Sequence, residues 1–107
     1  MNLIHKNLSS RWHCFTLPMQ MANIGSELHR AIKFQKNGDK KDAKDAFERT
    51  IELIDFTIAD KRYKKRSREL TIFREAVAGL YADNNQYKIS SELIENYFLN
   101  FAMYAGT

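Results

Sequence analysis

Residues 39–60, DKKDAKDAFERTIELIDFTIAD, form one uninterrupted helical pattern. Their apolar side chains recur at steps of three and four residues, which places them along one side of an α-helix. No proline or glycine interrupts the run, and Asp39 follows Gly38, where its side chain can cap the first free amides. The predicted buried stripe consists of Ala43, Ala46, Phe47, Thr50, Ile51, Ile54 and Ile58, and Leu53 and Phe56 are expected to widen the apolar surface beyond this single seam.

A second amphipathic helix precedes this one and is predicted over residues 17–36. Thr16 stands at the capping position, and Pro18 falls in the first turn, where its missing amide hydrogen costs nothing. The Asn37-Gly38 pair predicts its end. Its stripe consists of Leu17, Met21, Ile24, Leu28, Ala31 and Ile32.

Two further helices follow, one from Ser67 to Tyr81 and one that begins near Ser90-Ser91. No six-residue stretch alternates apolar and polar residues with β-branched enrichment, so strands are not expected. The connection at residues 37–39 is short, which favours antiparallel packing of the helices on either side. We predict an all-α, antiparallel up-and-down bundle of about four helices. Residues 1–10 are expected to be a flexible N-terminus and residues 11–107 a single domain.

Composition agrees with an ordinary globular protein. The 107 residues are 44% hydrophobic and 28% charged, a length that suits one domain. Cys14 is the only cysteine, which excludes an internal disulfide and fits a reducing compartment. The N-terminus lacks a signal-peptide pattern, and the longest uncharged run is too short and polar to span a bilayer. We expect a cytoplasmic protein without a membrane partner.

The net charge of +4 is unevenly distributed. Residues 39–60 carry seven acids and four bases, whereas residues 61–68, KRYKKRSR, carry six bases and no acid. This basic run is a candidate anion or nucleic-acid patch, in which Tyr63 is available to stack on a base. The alternative is a solvated connection whose cations lie at the negative end of the preceding helix, and we expect no nucleic-acid partner. The patch consists of Lys61, Arg62, Lys64, Lys65, Arg66 and Arg68.

A candidate polar cleft is formed by charged residues at the edges of the apolar stripes. These are Glu27, Arg30, Asp55, Arg74 and Glu75. Carboxylates near a core need a partner, and arginine offers a two-pronged match. The residues therefore predict either a ligand-binding cleft between helices or interhelical salt bridges that fix the packing register.

The residue types that carry catalysis or bind metals do not form a complete set. The three histidines lack zinc-ligand spacing, and the four glycines are too dispersed for a phosphate loop. The pairs Glu52-x-x-Asp55 and Glu92-x-x-Glu95 resemble, in reversed order, the acids that hold magnesium in all-helical nucleoside-triphosphate pyrophosphatases. We predict no catalytic residue, no metal site and no cofactor.

Aromatic residues concentrate near the C-terminus and form a candidate interface. Part of this surface is expected to close the bundle, and the rest to bury against a second copy of the chain. Core packing alone is the alternative. The candidate interface consists of Tyr97, Phe98, Phe101, Met103 and Tyr104.

Two resemblances extend this interpretation. The segment 31–55, with Ala31, Phe34, Gly38-Asp39, Ala43 and Phe47, resembles one tetratricopeptide hairpin, and no second copy follows at a 34-residue offset. This resemblance implies hairpin geometry.

Residues 11–83 are similar to small bacterial and archaeal helical proteins of unknown activity. The similarity is carried by Arg11-Trp12, Phe15-Thr16-Leu17, Asn23-Ile24-Gly25-Ser26-Glu27, Arg30-Ala31, Leu53-Ile54-Asp55, Thr57-Ile58, Asp60 and Arg74-Glu75. It implies a helical domain and leaves the function open.

From these patterns we expect a small helical interaction or assembly module whose partner is a protein, including a second copy of itself. The first alternative is a ligand-binding or nucleotide- and phosphate-handling bundle that uses the candidate polar cleft. The second is a weak nucleic-acid binder that uses the basic run.

Overall fold

The computed structural model describes residues 11–82, 92, 94–98 and 100. It contains the α-helices α1 (Leu17–Lys36), α2 (Lys40–Ile58) and α3 (Ser67–Tyr81), and a 3₁₀-helix, Lys61–Arg66, precedes α3. Residues 94–98 are also helical, and no strand occurs in the described part of the chain. The predicted all-α antiparallel bundle of about four helices is therefore confirmed. The expected flexible residues 1–10 and the predicted start of the last helix at residues 90–91 lie outside the described residues.

The helix ends follow the predicted capping chemistry at α1 but not at α2. Thr16 is extended, with ψ of 161°, and its hydroxyl accepts a hydrogen bond from the Met19 amide at 3.4 Å. Asp39 occupies the equivalent position of α2 but has ψ of 74°, and its side chain makes no capping hydrogen bond. Its different backbone conformation does not aim the carboxylate at the free amides. The predicted cap at Asp39 is therefore wrong.

The turn between α1 and α2 depends on one glycine. Gly38 has φ of +80°, a left-handed conformation that a side chain disfavours. The Asp39 amide then donates back to the Phe34 carbonyl at 2.9 Å, which closes the end of α1. This tight reversal brings α2 back along α1.

The second α-helix is the centre of the described fold, because it packs against both α1 and α3. Its buried arc extends beyond the predicted stripe to Leu53, as expected, and also to Thr57, whereas Ile51, Phe56 and Ile58 are only partly buried. A helix with two neighbours buries more than one seam, which explains the difference. The buried apolar residues are Trp12, Leu17, Met21, Ile24, Leu28, Ala31, Ile32, Ala43, Ala46, Phe47, Leu53, Ile54, Leu70, Ala76, Val77, Ile94 and Phe98.

The helical segment 94–98 approaches α1 very closely at Gly25. A Cβ atom at this glycine would lie 2.7 Å from the Phe98 Cβ, well inside van der Waals contact. Phe98 is 1% exposed, and its ring also meets the Phe73 ring edge-on, with centroids 5.9 Å apart. Because Gly25 has no side chain, helical residues 94–98 can pack closely against α1 and the core.

Candidate functional site

A dense polar cluster lies where α2 ends and the 3₁₀-helix begins; we call it the Asp60 junction and define it as Trp12, His13, Thr57, Asp60 and Arg62. The Asp60 side chain is 6% exposed. Arg62 Nη2 donates to Asp60 Oδ2 at 2.7 Å, and Arg62 Nε donates to Asp60 Oδ1 at 3.1 Å. His13 Nδ1 lies 3.3 Å from Asp60 Oδ2. The carboxylate also accepts the Arg62 amide at 3.0 Å, so it caps the 3₁₀-helix.

Arg62 connects this carboxylate to the segment before α1. Its Nη2 atom also donates to the carbonyls of His13 at 2.8 Å and Phe15 at 3.0 Å. The hydrogen bond from Arg62 lowers the pKa of Asp60 well below its usual range and outweighs burial, which acts in the opposite direction. The junction therefore holds a fixed negative charge that is compensated by one guanidinium.

Trp12 fills the buried side of the same junction. Its ring nitrogen donates to the Thr57 hydroxyl at 2.9 Å, and its carbonyl accepts Gln20 Nε2 at 2.8 Å. Trp12 is 1% exposed, whereas Thr57 and Gln20 are both fully buried. These two hydrogen bonds fix residues 11–16, the N-terminal segment, to α1 and to the end of α2.

The residues of the candidate polar cleft fall into two groups. Arg74 Nε lies 2.5 Å from Asp55 Oδ1, which joins α3 to α2. Glu27 lies 3.5 Å from Arg30 on its own helix and 3.5 Å from Arg49 on α2. Arg49 and Asp55 are six residues apart, about 120° around the helix, so the two groups lie on different sides of α2.

Glu75, the fifth residue of the candidate cleft, is exposed on α3. Its charge contributes to a raised pKa of Arg74, for which the hydrogen bond to Asp55 is the main cause. Glu75 therefore belongs electrostatically to the Asp55–Arg74 group. The described side chains form interhelical and intrahelical ion pairs at these positions, which is the structural alternative considered from the sequence.

The basic run forms the 3₁₀-helix and the start of α3. Arg62 is bound in the Asp60 junction, and Arg66 Nη2 donates to Glu69 Oε1 at 3.1 Å. Lys61, Lys64, Lys65 and Arg68 are exposed. Residues 61–66 line an open depression of about 630 Å³. The run is therefore a structured element, in which two arginines are anchored and the other bases face solvent.

Of the candidate interface, Tyr97 and Phe98 contribute to the bundle itself. The Tyr97 ring stacks on Phe73 with centroids 3.7 Å apart, and its hydroxyl donates to Glu69. Burial, and then the bond to Glu69, raise the pKa of Tyr97 above its usual value. The predicted interface residues Phe101, Met103 and Tyr104 lie outside the described residues.

A second depression, of about 590 Å³, lies between α1 and the helical residues 94–98. His29 Nδ1 is 3.0 Å from Glu95 Oε1 at its rim, and Ser26, Arg30 and Asn96 also line it. The sequence offered no signal for this groove, because its two sides are separated by more than sixty residues of chain.

The described residues contain no group of three or more acidic, histidine or cysteine side chains placed to hold a metal ion. Two of the four acids in the Glu52-x-x-Asp55 and Glu92-x-x-Glu95 pairs contact a base: Glu95 contacts His29, and Asp55 binds Arg74. Glu52 is buried within α2. In this part of the chain, no helix has the length and apolar character needed to cross a bilayer.

The Asp60 junction was not predicted from the sequence. Asp60 was noted as the end of the acidic helix and, together with Thr57, as part of a resemblance, while Gln20 lay outside the predicted stripe. A usable signal was present, since a carboxylate two residues before an arginine at a helix end often accepts both its amide and its side chain. The contact with Trp12 is separated by 45 residues and had no local signal.

Comparison with known proteins identified no relative of the chain. No protein-family model, curated protein or solved structure matches it. The resemblances to a tetratricopeptide hairpin and to small bacterial and archaeal helical proteins stay predictions. Function is therefore inferred from the contacts and charges of the described residues.

Proposed function

We propose that this protein is a non-enzymatic interaction or assembly module that binds another protein, including a second copy of itself. One observation supports the proposal above others: two acids of the candidate polar cleft, Asp55 and Glu27, lie in ion pairs between helices. Asp55 binds Arg74 across α2 and α3, and Glu27 pairs with Arg49 across α1 and α2. These acids lie opposite arginines of neighbouring helices, an arrangement that favours a scaffold over a ligand-binding cleft.

The surface used for assembly is proposed to include the C-terminal residues Phe101, Met103 and Tyr104. This part of the proposal comes from the sequence, in which these apolar side chains follow Tyr97 and Phe98. Tyr97 and Phe98 are already packed against Phe73, so they contribute to the scaffold. A cytoplasmic location is part of the proposal, and the single, exposed thiol of Cys14 supports it.

Sedimentation velocity over a series of concentrations tests self-assembly. We expect the mean sedimentation coefficient to rise with concentration, and replacing Phe101 and Tyr104 by serine should remove this rise. A wild-type chain that stays monomeric at high micromolar concentration would contradict the homo-oligomer. Circular dichroism of the variant provides the control for folding.

The ligand-binding alternative predicts a different result. Thermal unfolding should be measured with nucleoside triphosphates, with and without magnesium, on the wild type and on Asp55→Ala. Asp42→Ala is the matched control, because Asp42 is an exposed aspartate on the same helix. We expect no nucleotide-dependent stabilisation. A stabilisation that is lost in Asp55→Ala but kept in Asp42→Ala would favour a nucleotide- or phosphate-handling bundle instead.

A further inference from the structure

The basic run separates into bases that hold the fold and bases that do not. Arg62 donates to Asp60 and to two backbone carbonyls, and Arg66 donates to Glu69. Arg62 therefore fixes the 3₁₀-helix to the segment before α1, and Arg66 pairs locally with the first turn of α3. Asp60 and Glu69, the acids on either side of the run, are occupied by these same arginines.

The other four cations of the run take part in no side-chain ion pair among the described residues. Lys61, Lys64, Lys65 and Arg68 are exposed, and no carboxylate of the described residues lies within salt-bridge distance of them. We call these three lysines and one arginine together the lysine face. Eight residues of helical chain span roughly 10–15 Å, so the face concentrates four positive charges over that distance.

Tyr63, the aromatic residue within the basic run, does not offer a stacking platform. Tyr63 is half-buried against the core, and the Arg62 guanidinium covers its ring at 4.9 Å from the centroid. Single-stranded nucleic acids are usually held by bases stacked on exposed aromatic rings, so this arrangement does not favour them. Arg62 thus occupies the ring face on which Tyr63 was considered able to stack a base.

An acidic helix offers the complementary spacing. Acids three and four residues apart on a helix lie about 5–6 Å from each other, so two turns present several carboxylates within the length of the lysine face. We propose that the lysine face docks an acidic helical segment of a partner protein. This inference rests on the proposed interaction function and names the chemistry of one partner.

The test is fluorescence anisotropy with a labelled alanine-based helical peptide that carries glutamates at i, i+3 and i+4 on one face. We expect binding at low salt that weakens as salt is added, because exposed charges are screened. The same peptide with glutamine at those positions should not bind. An oligothymidylate of equal net charge is measured under the same conditions.

Two triple variants with the same net charge locate the site. Replacing Lys61, Lys64 and Lys65 by glutamine should weaken binding by about tenfold or more, because three of the four charges are removed. The control is K36Q/K40Q/K44Q, which removes three exposed lysines elsewhere and should leave the affinity within about twofold. Neither variant should change thermal stability appreciably, since exposed charges contribute little.

Each other result overturns the inference. Equal losses of affinity in both variants would mean that the peptide is attracted by the overall net charge of the protein. If the peptide does not bind even at low salt, the lysine face does not dock an acidic helix. Tighter binding of the oligothymidylate than of the peptide would assign the face to nucleic acid. The proposed interaction function is judged separately, by sedimentation and by the nucleotide titration of Asp55→Ala.

Discussion

Asp55 and Asp60 both bind an arginine, but they do so in different surroundings. Asp55 is 47% exposed and contacts Arg74 alone among the described hydrogen bonds, whereas Asp60 is 6% exposed and contacts Arg62 and His13. Water and salt compete with the first pair much more than with the second. The same two chemical groups should therefore contribute very different amounts to stability.

The largest effect is expected from Asp60→Ala. The change removes the cap of the 3₁₀-helix and the partner of Arg62, so we expect a loss of about 2–3 kcal/mol in the free energy of unfolding. Urea denaturation of Asp60→Ala measures this loss, and Asp55→Ala, measured in the same way, is the control. Equal losses in the two variants would show that burial of the Asp60 carboxylate does not increase its contribution to the free energy of unfolding.

A smaller effect is expected on the apolar side of the junction. Thr57→Val removes the acceptor of the Trp12 ring nitrogen and should cost about 1–2 kcal/mol, because a buried donor is left unpaired. Thr50→Val is the matched control, since Thr50 is equally buried on α2 and bonds only the carbonyl of Ala46. Urea denaturation should show a lower free energy of unfolding for Thr57→Val than for Thr50→Val. Identical curves would contradict a stabilising role of the Trp12–Thr57 hydrogen bond.

The contribution of Asp60 to stability also depends on pH. Arg62 lowers the pKa of Asp60 in the folded protein, so the stabilisation is complete above the unfolded pKa of roughly 3.9 and is lost as pH falls below it. Between pH 4 and pH 3 the wild type should lose about 1 kcal/mol more than Asp60→Ala. Thr57→Val keeps the carboxylate and should retain the wild-type slope. Parallel wild-type and Asp60→Ala profiles would contradict the depressed pKa.

The smallest effect is expected at the exposed pair. A double-mutant cycle of Asp55→Ala and Arg74→Ala should give a coupling energy of about 0.2–1 kcal/mol, which decreases in high salt. Denaturation at low and high salt provides the measurement. A salt-independent coupling as large as the Asp60 effect would erase the contrast between the two pairs.

The fold was predictable because its signals are local. The boundaries of α1 and α3 coincide with the predicted ones, since Thr16, Pro18 and the Asn37-Gly38 turn act on neighbouring backbone groups. The extension of the buried surface of α2 to Leu53 was predicted, whereas the burial of Thr57 and the partial exposure of Ile51 and Ile58 were not, because they depend on which neighbours pack beside the helix. Periodicity identifies a helix but not the number of its partners.

The candidate site was predictable only in part. The sequence identified Asp55 and Arg74 as residues that need partners, but it did not pair them, because their contact depends on the packing of α3 against α2. It also treated the basic run as one unit. The division between Arg62 and the exposed lysines follows from Asp60 and from carbonyls of the N-terminal segment, which only the folded chain brings together.

The burial of Trp12 gives the protein an intrinsic optical probe. It is the only tryptophan of the chain, it is 1% exposed, and its ring nitrogen is bound to Thr57. Native fluorescence emission should therefore lie at short wavelength and move to longer wavelength when residues 12 and 57 separate. Far-ultraviolet circular dichroism follows all the helices at once. If the two signals diverge during unfolding, the N-terminal segment detaches before the bundle melts; if they coincide, both belong to one cooperative unit.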